Sequence, residues 1–172
     1  MKTKYLTTTE SPAGPLHLAV TETGVLTDVS FGCVTPPAEF EAGIQRRGFN
    51  TTWDPAPARD VLAQLAEYSA GTRTDFDLPL EMTGSEWERA VWSALGTIPF
   101  GETRSYGQIA SQLGDPTKAR AVGWANAANP IPVIVPCHRV IGAAGNLTGF
   151  GGGIEAKIQL LIHEGAMLPG FA

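Results

Sequence analysis

The 172-residue chain predicts an α+β protein in two parts: a small antiparallel-sheet α/β domain over residues 1–83, then a mainly helical domain over 84–172 that carries a helix-turn-helix. Three observations lead there. Short alternating runs divided by Pro/Gly turns fill the first thirty or so residues, helical apolar patterns crowd the second half, and the charge changes character between the halves. Residues 1–84 hold six Lys and Arg against eleven Asp and Glu, while 85–172 hold six against six, so the whole net charge of −5 belongs to the first half. An acidic chain is not held to nucleic acid by bulk charge. Any contact with phosphate falls to the second half, through a few placed cations and backbone amides. The composition, 43% hydrophobic and 17% charged, is that of a folded globular chain. Its longest apolar run, 131–135, is broken by Pro132 and is far too short to span a bilayer. No apolar signal region follows the N-terminus, so a cytoplasmic location and no membrane partner are expected. Two cysteines, Cys33 and Cys137, cannot make a disulfide framework.

Taken in order, Tyr5–Glu10, Pro15–Val20 and Val25–Phe31 read as strands, separated by turns at Ser11-Pro12-Ala13-Gly14 and Thr21-Glu22-Thr23-Gly24. Residues 32–56, with Pro36, Pro37 and Pro55, resist assignment. Pro57 to Ala70 reads as a helix with Val61, Leu62, Leu65 and Tyr68 inward and Gly71 as its stop. Phe76–Leu80 reads as a short strand. At Ser85, followed by Glu88 at capping-box spacing, a helix opens whose stripe is Trp87, Val91, Ala94 and Leu95. A second short helix places Tyr106, Ile109, Ala110 and Leu113 on one face before Gly114. Asp115-Pro116 then supplies an N-cap and a first-turn proline for a third helix reaching about Ala128. Two short helices a few residues apart have helix-turn-helix form, which is also common in domains that never meet DNA. The third helix is thin, built on Ala119, Ala121, Gly123, Ala125, Ala127 and Ala128. Such a helix either packs tightly against neighbours or lets its backbone approach a nucleic-acid strand, even in a minor groove roughly 6 Å wide.

The chemistry concentrates in residues 129–140. Val133–Val135 reads as a buried strand that Pro136 ends. Adjacent residues of a regular strand face opposite ways, so Cys137 and His138 cooperate only if the chain turns at the proline. A thiol at such a turn, beside a histidine, is expected to have a lowered pKa and so to be a competent nucleophile. An arbitrary cysteine is more often buried and inert, the reading assigned to Cys33. Cys-His pairs also ligate metals, but zinc needs about four ligands, and Cys33, His17 and His163 offer no pair at finger spacing. No metal and no cofactor is expected. A helix over Ile154–Glu164 puts Leu160, Leu161 and Glu164 on one inward face. A carboxylate there requires a partner, either His138, which it would orient as a base, or a cation such as Arg139.

The run Pro136-Cys137-His138-Arg139-Val140, with Asn129-Pro130 before it and Gly149-Phe150-Gly151-Gly152 and His163-Glu164-Gly165 after it, closely resembles the O6-alkylguanine-DNA alkyltransferases. The likeness is dense from Gly84 to about Gly165. It is loose over the first 80 residues, where the Ser-Pro-Ala-Gly-Pro-Leu turn and the strand order resemble the family's ribonuclease-H-like N-terminal domain. The resemblance implies DNA repair by direct reversal, in which an alkyl group passes from O6 of guanine to Cys137 irreversibly and each molecule reacts once. It also implies a monomer that binds double-stranded DNA in the minor groove and flips the damaged base. By the same resemblance His138 is the base acting through a water, Glu164 the carboxylate behind it, and Asn129 the brace between recognition helix and active site. Arg120 is the arginine that fills the space of the extruded base, with Ala119 and Ala127 on the DNA-facing helix. Tyr106 lies near the turned-out nucleotide, and its hydroxyl assists guanine departure. The backbone of Cys137 and Val140 and the amide of Gly151 read the guanine edge, in a pocket with Phe150 and Trp87.

Three positions depart from the family. Trp124 replaces a small or aliphatic residue one turn after Arg120, either as an extra stacking contact or as core. Phe150 stands where tyrosine is frequent, and Gly151 where some members have serine. These bear on substrate range rather than on the chemistry. A non-catalytic protein that binds alkylated DNA and flags lesions is the competing reading, but relatives of that type carry another residue, commonly tryptophan, where this chain has Cys137. A transcriptional regulator would need a ligand-sensing domain or a dimerisation stripe, and neither is evident.

Overall fold

The computed structural model describes residues 1–170, which divide into two compact units, Met1–Glu81 and a second that begins at Met82. In the first, β1 (Thr3–Thr9), β2 (Leu16–Val20) and β3 (Leu26–Phe31) form an antiparallel meander. Each turn between them closes with a backbone hydrogen bond, Gly14 to Ser11 and Gly24 to Thr21. The chain then crosses the sheet in α1 (Pro37–Arg46) and returns as β4 (Asn50–Trp53), parallel to β1, giving the strand order β3-β2-β1-β4. A parallel neighbour requires such a crossover. Phe40 and Ile44 of α1 bury against Leu6 and Ala19 of the sheet, which is what seats the helix.

Both α1 and β4 lie in the stretch where the prolines obscured any pattern. Pro37 does not interrupt α1 because it occupies the first helical turn, where an amide N–H has no partner to lose. After a 3-10 turn at Ala56–Ala58, α2 (Arg59–Ser69) buries Val61, Leu65 and Tyr68, and Gly71 follows at φ 77° as the expected stop. The strand expected at Phe76–Leu80 does not form. Only Leu80 bridges the sheet, beside Leu26, while the Gln64 side chain bonds both the amide and the carbonyl of Asp77. A side chain has taken the place of a strand partner.

In the second unit the Ser85–Glu88 capping box is complete and opens α3 (Glu86–Leu95), which buries Val91, Trp92, Ala94 and Leu95. A two-residue strand, β5 (Arg104–Ser105), leads into α4 (Tyr106–Gln112), capped by Ser105 and Gln108 in the same reciprocal way. Gly114 at φ 95° turns the chain, Asp115 caps a 3-10 turn at Pro116–Lys118, and α5 (Ala119–Ala127) follows. Helices α4 and α5 pack together as the helix-turn-helix pair, with α3 behind α5. The remaining elements are β6 (Val140–Ile141), parallel to β5, and α6 (Ile154–His163). No helix of the described residues is long and apolar enough to cross a membrane.

Candidate active site

Residues 129–139 do not run as a strand into a turn. The expected strand at Val133–Val135 is absent, and Val133 lies at φ 74°, a left-handed conformation that a β-branched residue adopts only when its surroundings hold it. Asn129 does the holding. Its Oδ1 accepts the Ile131 amide at 3.0 Å and its Nδ2 donates to the Val135 carbonyl at 2.8 Å, so one side chain spans the loop. Pro136 then leads into a 3-10 turn at Cys137–Arg139, the bend that adjacent Cys and His residues require to act together. All three residues of the turn are buried.

Within this turn the charges are arranged around His138, none of which is solvent-exposed. Its Nε2 lies 2.8 Å from Glu164 Oε1 at the end of α6. Arg139 grips the same carboxylate with two bonds, Nε to Oε2 at 2.8 Å and Nη2 to Oε1 at 2.9 Å, and donates Nη1 to the Ile98 carbonyl at 2.6 Å. Burial works against a charge on Glu164, but the hydrogen bonds and positive partners of His138 and Arg139 prevail and hold it well below the usual carboxylate range. Burial also lowers the His138 pKa, against the pull of Glu164, so the ring is neutral at physiological pH. A neutral ring donating Nε2–H to a carboxylate leaves Nδ1 as a proton acceptor, and Nδ1 has no protein partner. Both partners foreseen for Glu164 are realised together.

The lowered pKa expected for the Cys137 thiol is overturned: burial pushes it up to about 11, against the Asn129 side chain, the Lys157 charge, and the amides of residues 137 and 138. Holding it as thiolate near pH 7 therefore costs about 5 kcal/mol. The thiol is protonated at rest and needs a base.

Two members of the site escaped sequence reading. Lys157 is fully buried, donates Nζ to the Val140 carbonyl at 2.6 Å and lies 5.9 Å from the Phe150 ring centroid. Burial lowers its pKa, and the sulfur charge raises it in return. It precedes Leu160, Leu161 and Glu164 by three, four and seven residues, so it lies on the same inward stripe of α6. Asn126, buried on α5, donates to the Cys137 carbonyl at 3.3 Å and so ties the helix-turn-helix to the reactive turn. An asparagine in an alanine-rich helix offered little warning.

The other expected residues are distributed as follows. Tyr106 opens α4, half-buried, with its hydroxyl 2.7 Å from Thr148 Oγ1 and its ring against Gly123 of α5. Ala119 and Ala127 begin and end α5, and Arg120 is exposed upon it. Val140 is buried, and its carbonyl accepts the Lys157 ammonium. Phe150 is half-buried, and Gly151 is exposed with open space where a side chain would begin. Trp87 faces α5, donating Nε1 to the Ala121 carbonyl at 3.2 Å, and Trp92 does the same to Ala125 at 2.8 Å. The two indoles fasten the inner side of α5.

Comparison with known proteins covers nearly the whole chain. Residues 4–82 match the family described as 6-O-methylguanine DNA methyltransferase, ribonuclease-like domain, and residues 86–166 its DNA binding domain. The methylated-DNA–protein-cysteine methyltransferase of Mycobacterium tuberculosis (strain ATCC 25618 / H37Rv) is 48% identical over 162 residues, 94% of this chain and 93% of the relative. That of Methanosarcina acetivorans is 42% identical over 164 residues, 94% of this chain and 99% of its own. The crystal structure of Mycobacterium tuberculosis OGT in complex with DNA superposes with a TM-score of 0.81 at 46% identity, covering 96% of each chain.

Proposed function

This chain belongs to the 6-O-methylguanine DNA methyltransferase family, and from that premise we propose that Cys137 is the cysteine that accepts the alkyl group from O6 of guanine. The activity is repair of methylated DNA by transfer of the alkyl group to a cysteine of the protein itself. The observation that carries the assignment to Cys137 is the buried His138–Glu164–Arg139 cluster on the same turn as the thiol, in which His138 keeps one nitrogen ready for a proton.

The chemistry follows from these groups. His138 Nδ1 takes the thiol proton through a bridging water, and Glu164 stabilises the imidazolium that results. Sulfur attacks the alkyl carbon, the S–C bond forms as the C–O6 bond breaks, and the electron pair of that bond leaves with guanine. A proton returned to the base, with Tyr106 assisting, completes the exchange. Lys157 and the amides of the turn stabilise the sulfur charge while it lasts. The thioether has no second nucleophile to release it, so each molecule reacts once.

The base must leave the duplex to meet a sulfur this buried, which costs a few kcal/mol of unstacking. Arg120 offsets part of that by entering the vacated stack from the minor groove, with Ala119 and Ala127 permitting close approach. Val140, Phe150, Gly151 and Trp87 contribute to the pocket, in which Phe150 and Gly151 present no hydroxyl. The protein acts as a monomer in the cytoplasm. Intact-mass and peptide analysis after incubation with a duplex containing one O6-methylguanine should find one methyl group per protein, on the peptide holding Cys137. A Cys137→Ala variant that still repairs this duplex would overturn the assignment.

A further inference from the structure

Helix α5 carries one large apolar side chain that the fold leaves uncovered. Trp124 is 75% exposed, whereas Trp87 and Trp92 of the same unit each engage a carbonyl of α5 and bury wholly or in part. It is therefore not core. Helical spacing puts it on a line with Arg120, Ala127 and Ala128, at i+4, i+7 and i+8 from Arg120, all of them exposed. The inner residues Val122, Ala125 and Asn126 occupy the opposite side, so this line is a surface that nothing among the described residues covers. It bears no acid, and apart from the two long side chains it is flat.

The geometry points to Trp124 as a second DNA-contacting wedge on α5, packing its indole against the sugar and base edge of a nucleotide flanking the extruded one. This rests on the reading of the Arg120 face as the DNA-facing surface. Four residues of helix advance about 6 Å, somewhat less than two base steps of roughly 3.4 Å. The indole thus lies too far from Arg120 to share its gap and close enough to reach the adjoining nucleotide. An aromatic face accepts any base or sugar, so the contact strengthens binding to duplex whatever its sequence, and it adds no charge. Phosphate contacts alone would not explain an indole here, and an interior role is excluded by its exposure.

Duplex binding of the parent, Trp124→Ala, Trp124→Phe and Arg120→Ala can be followed by anisotropy across a salt series, beside the rate of reaction with free O6-benzylguanine. Trp124→Ala should weaken duplex binding by about tenfold with an unchanged salt slope, and Trp124→Phe should restore most of it. Arg120→Ala should flatten the slope by about one. Parent-like binding by Trp124→Ala, or a loss on the free base as large as that on duplex, would overturn the assignment to Trp124. If Arg120→Ala also binds as the parent does, the DNA-facing reading of α5 itself is what has failed.

Discussion

At the scale of single residues, the site sets a reluctant thiol beside a prepared base. Burial pushes Cys137 up to about 11 and keeps His138 neutral, two shifts that together store the nucleophile in its unreactive form. The consequence is measurable without DNA. Alkylation of Cys137 by iodoacetamide, followed on its own peptide, should rise about tenfold per pH unit from roughly pH 7 to 10, since only the thiolate reacts. A plateau near neutral pH would mean that the thiolate already exists at rest. The Cys-His pair and the proline before it were legible in the sequence, because a turn is the only local geometry that lets neighbours cooperate. The left-handed Val133 was not. Nothing in a Pro-Val-Ile-Val-Pro run announces such a backbone, which persists through the two hydrogen bonds of Asn129.

At the scale of elements, the end of α6 serves chemistry and stability through the same carboxylate. Glu164 orients His138 and neutralises a buried Arg139, so removing it leaves a guanidinium with no counter-charge. Glu164→Ala should cost about 3–5 kcal/mol of stability, readable as a fall in denaturant midpoint at constant m. Arg139→Met in that background should recover part of it, because the orphaned charge goes with the arginine. No recovery in the double variant would show that Arg139 was not the source of the loss. Apolar periodicity exposed the α6 stripe but not Lys157 within it, since a lysine on an inward face looks like an error until its carbonyl partner is known. Helix α3 was legible from its Ser85 capping box, α4 from its apolar stripe and Gly114, and α5 from Asp115-Pro116, whereas the second box, at Ser105, went unread. The supposed strand at Phe76–Leu80 failed because a glutamine from α2 satisfied the backbone instead.

For the whole molecule, the buried cluster makes stability depend on acid. Glu164 has a depressed pKa in the fold, so its contribution is complete above its ordinary value of 4.5 and is lost as the pH falls through that value and below. His138, also depressed, adds a loss of the same sign beginning below 6.5, where the unfolded chain takes up a proton the folded one refuses. Thermal melts from pH 7 downward should therefore fall in two stages, and Glu164→Gln should blunt the lower one. An unchanged lower stage in that variant would place the acid sensitivity elsewhere.

The α+β class, the helix-turn-helix and the reactive turn were readable from the residues alone, because caps, periodicity and the proline before Cys137 act within a few residues of one another. Tertiary structure alone decided that Glu164 serves two partners, that Lys157 and Asn126 join the site, and that Trp124 stands outside the core. Each of those outcomes depends on which side chains meet across many residues of chain, and burial and charge pairing are properties of that meeting rather than of any local run.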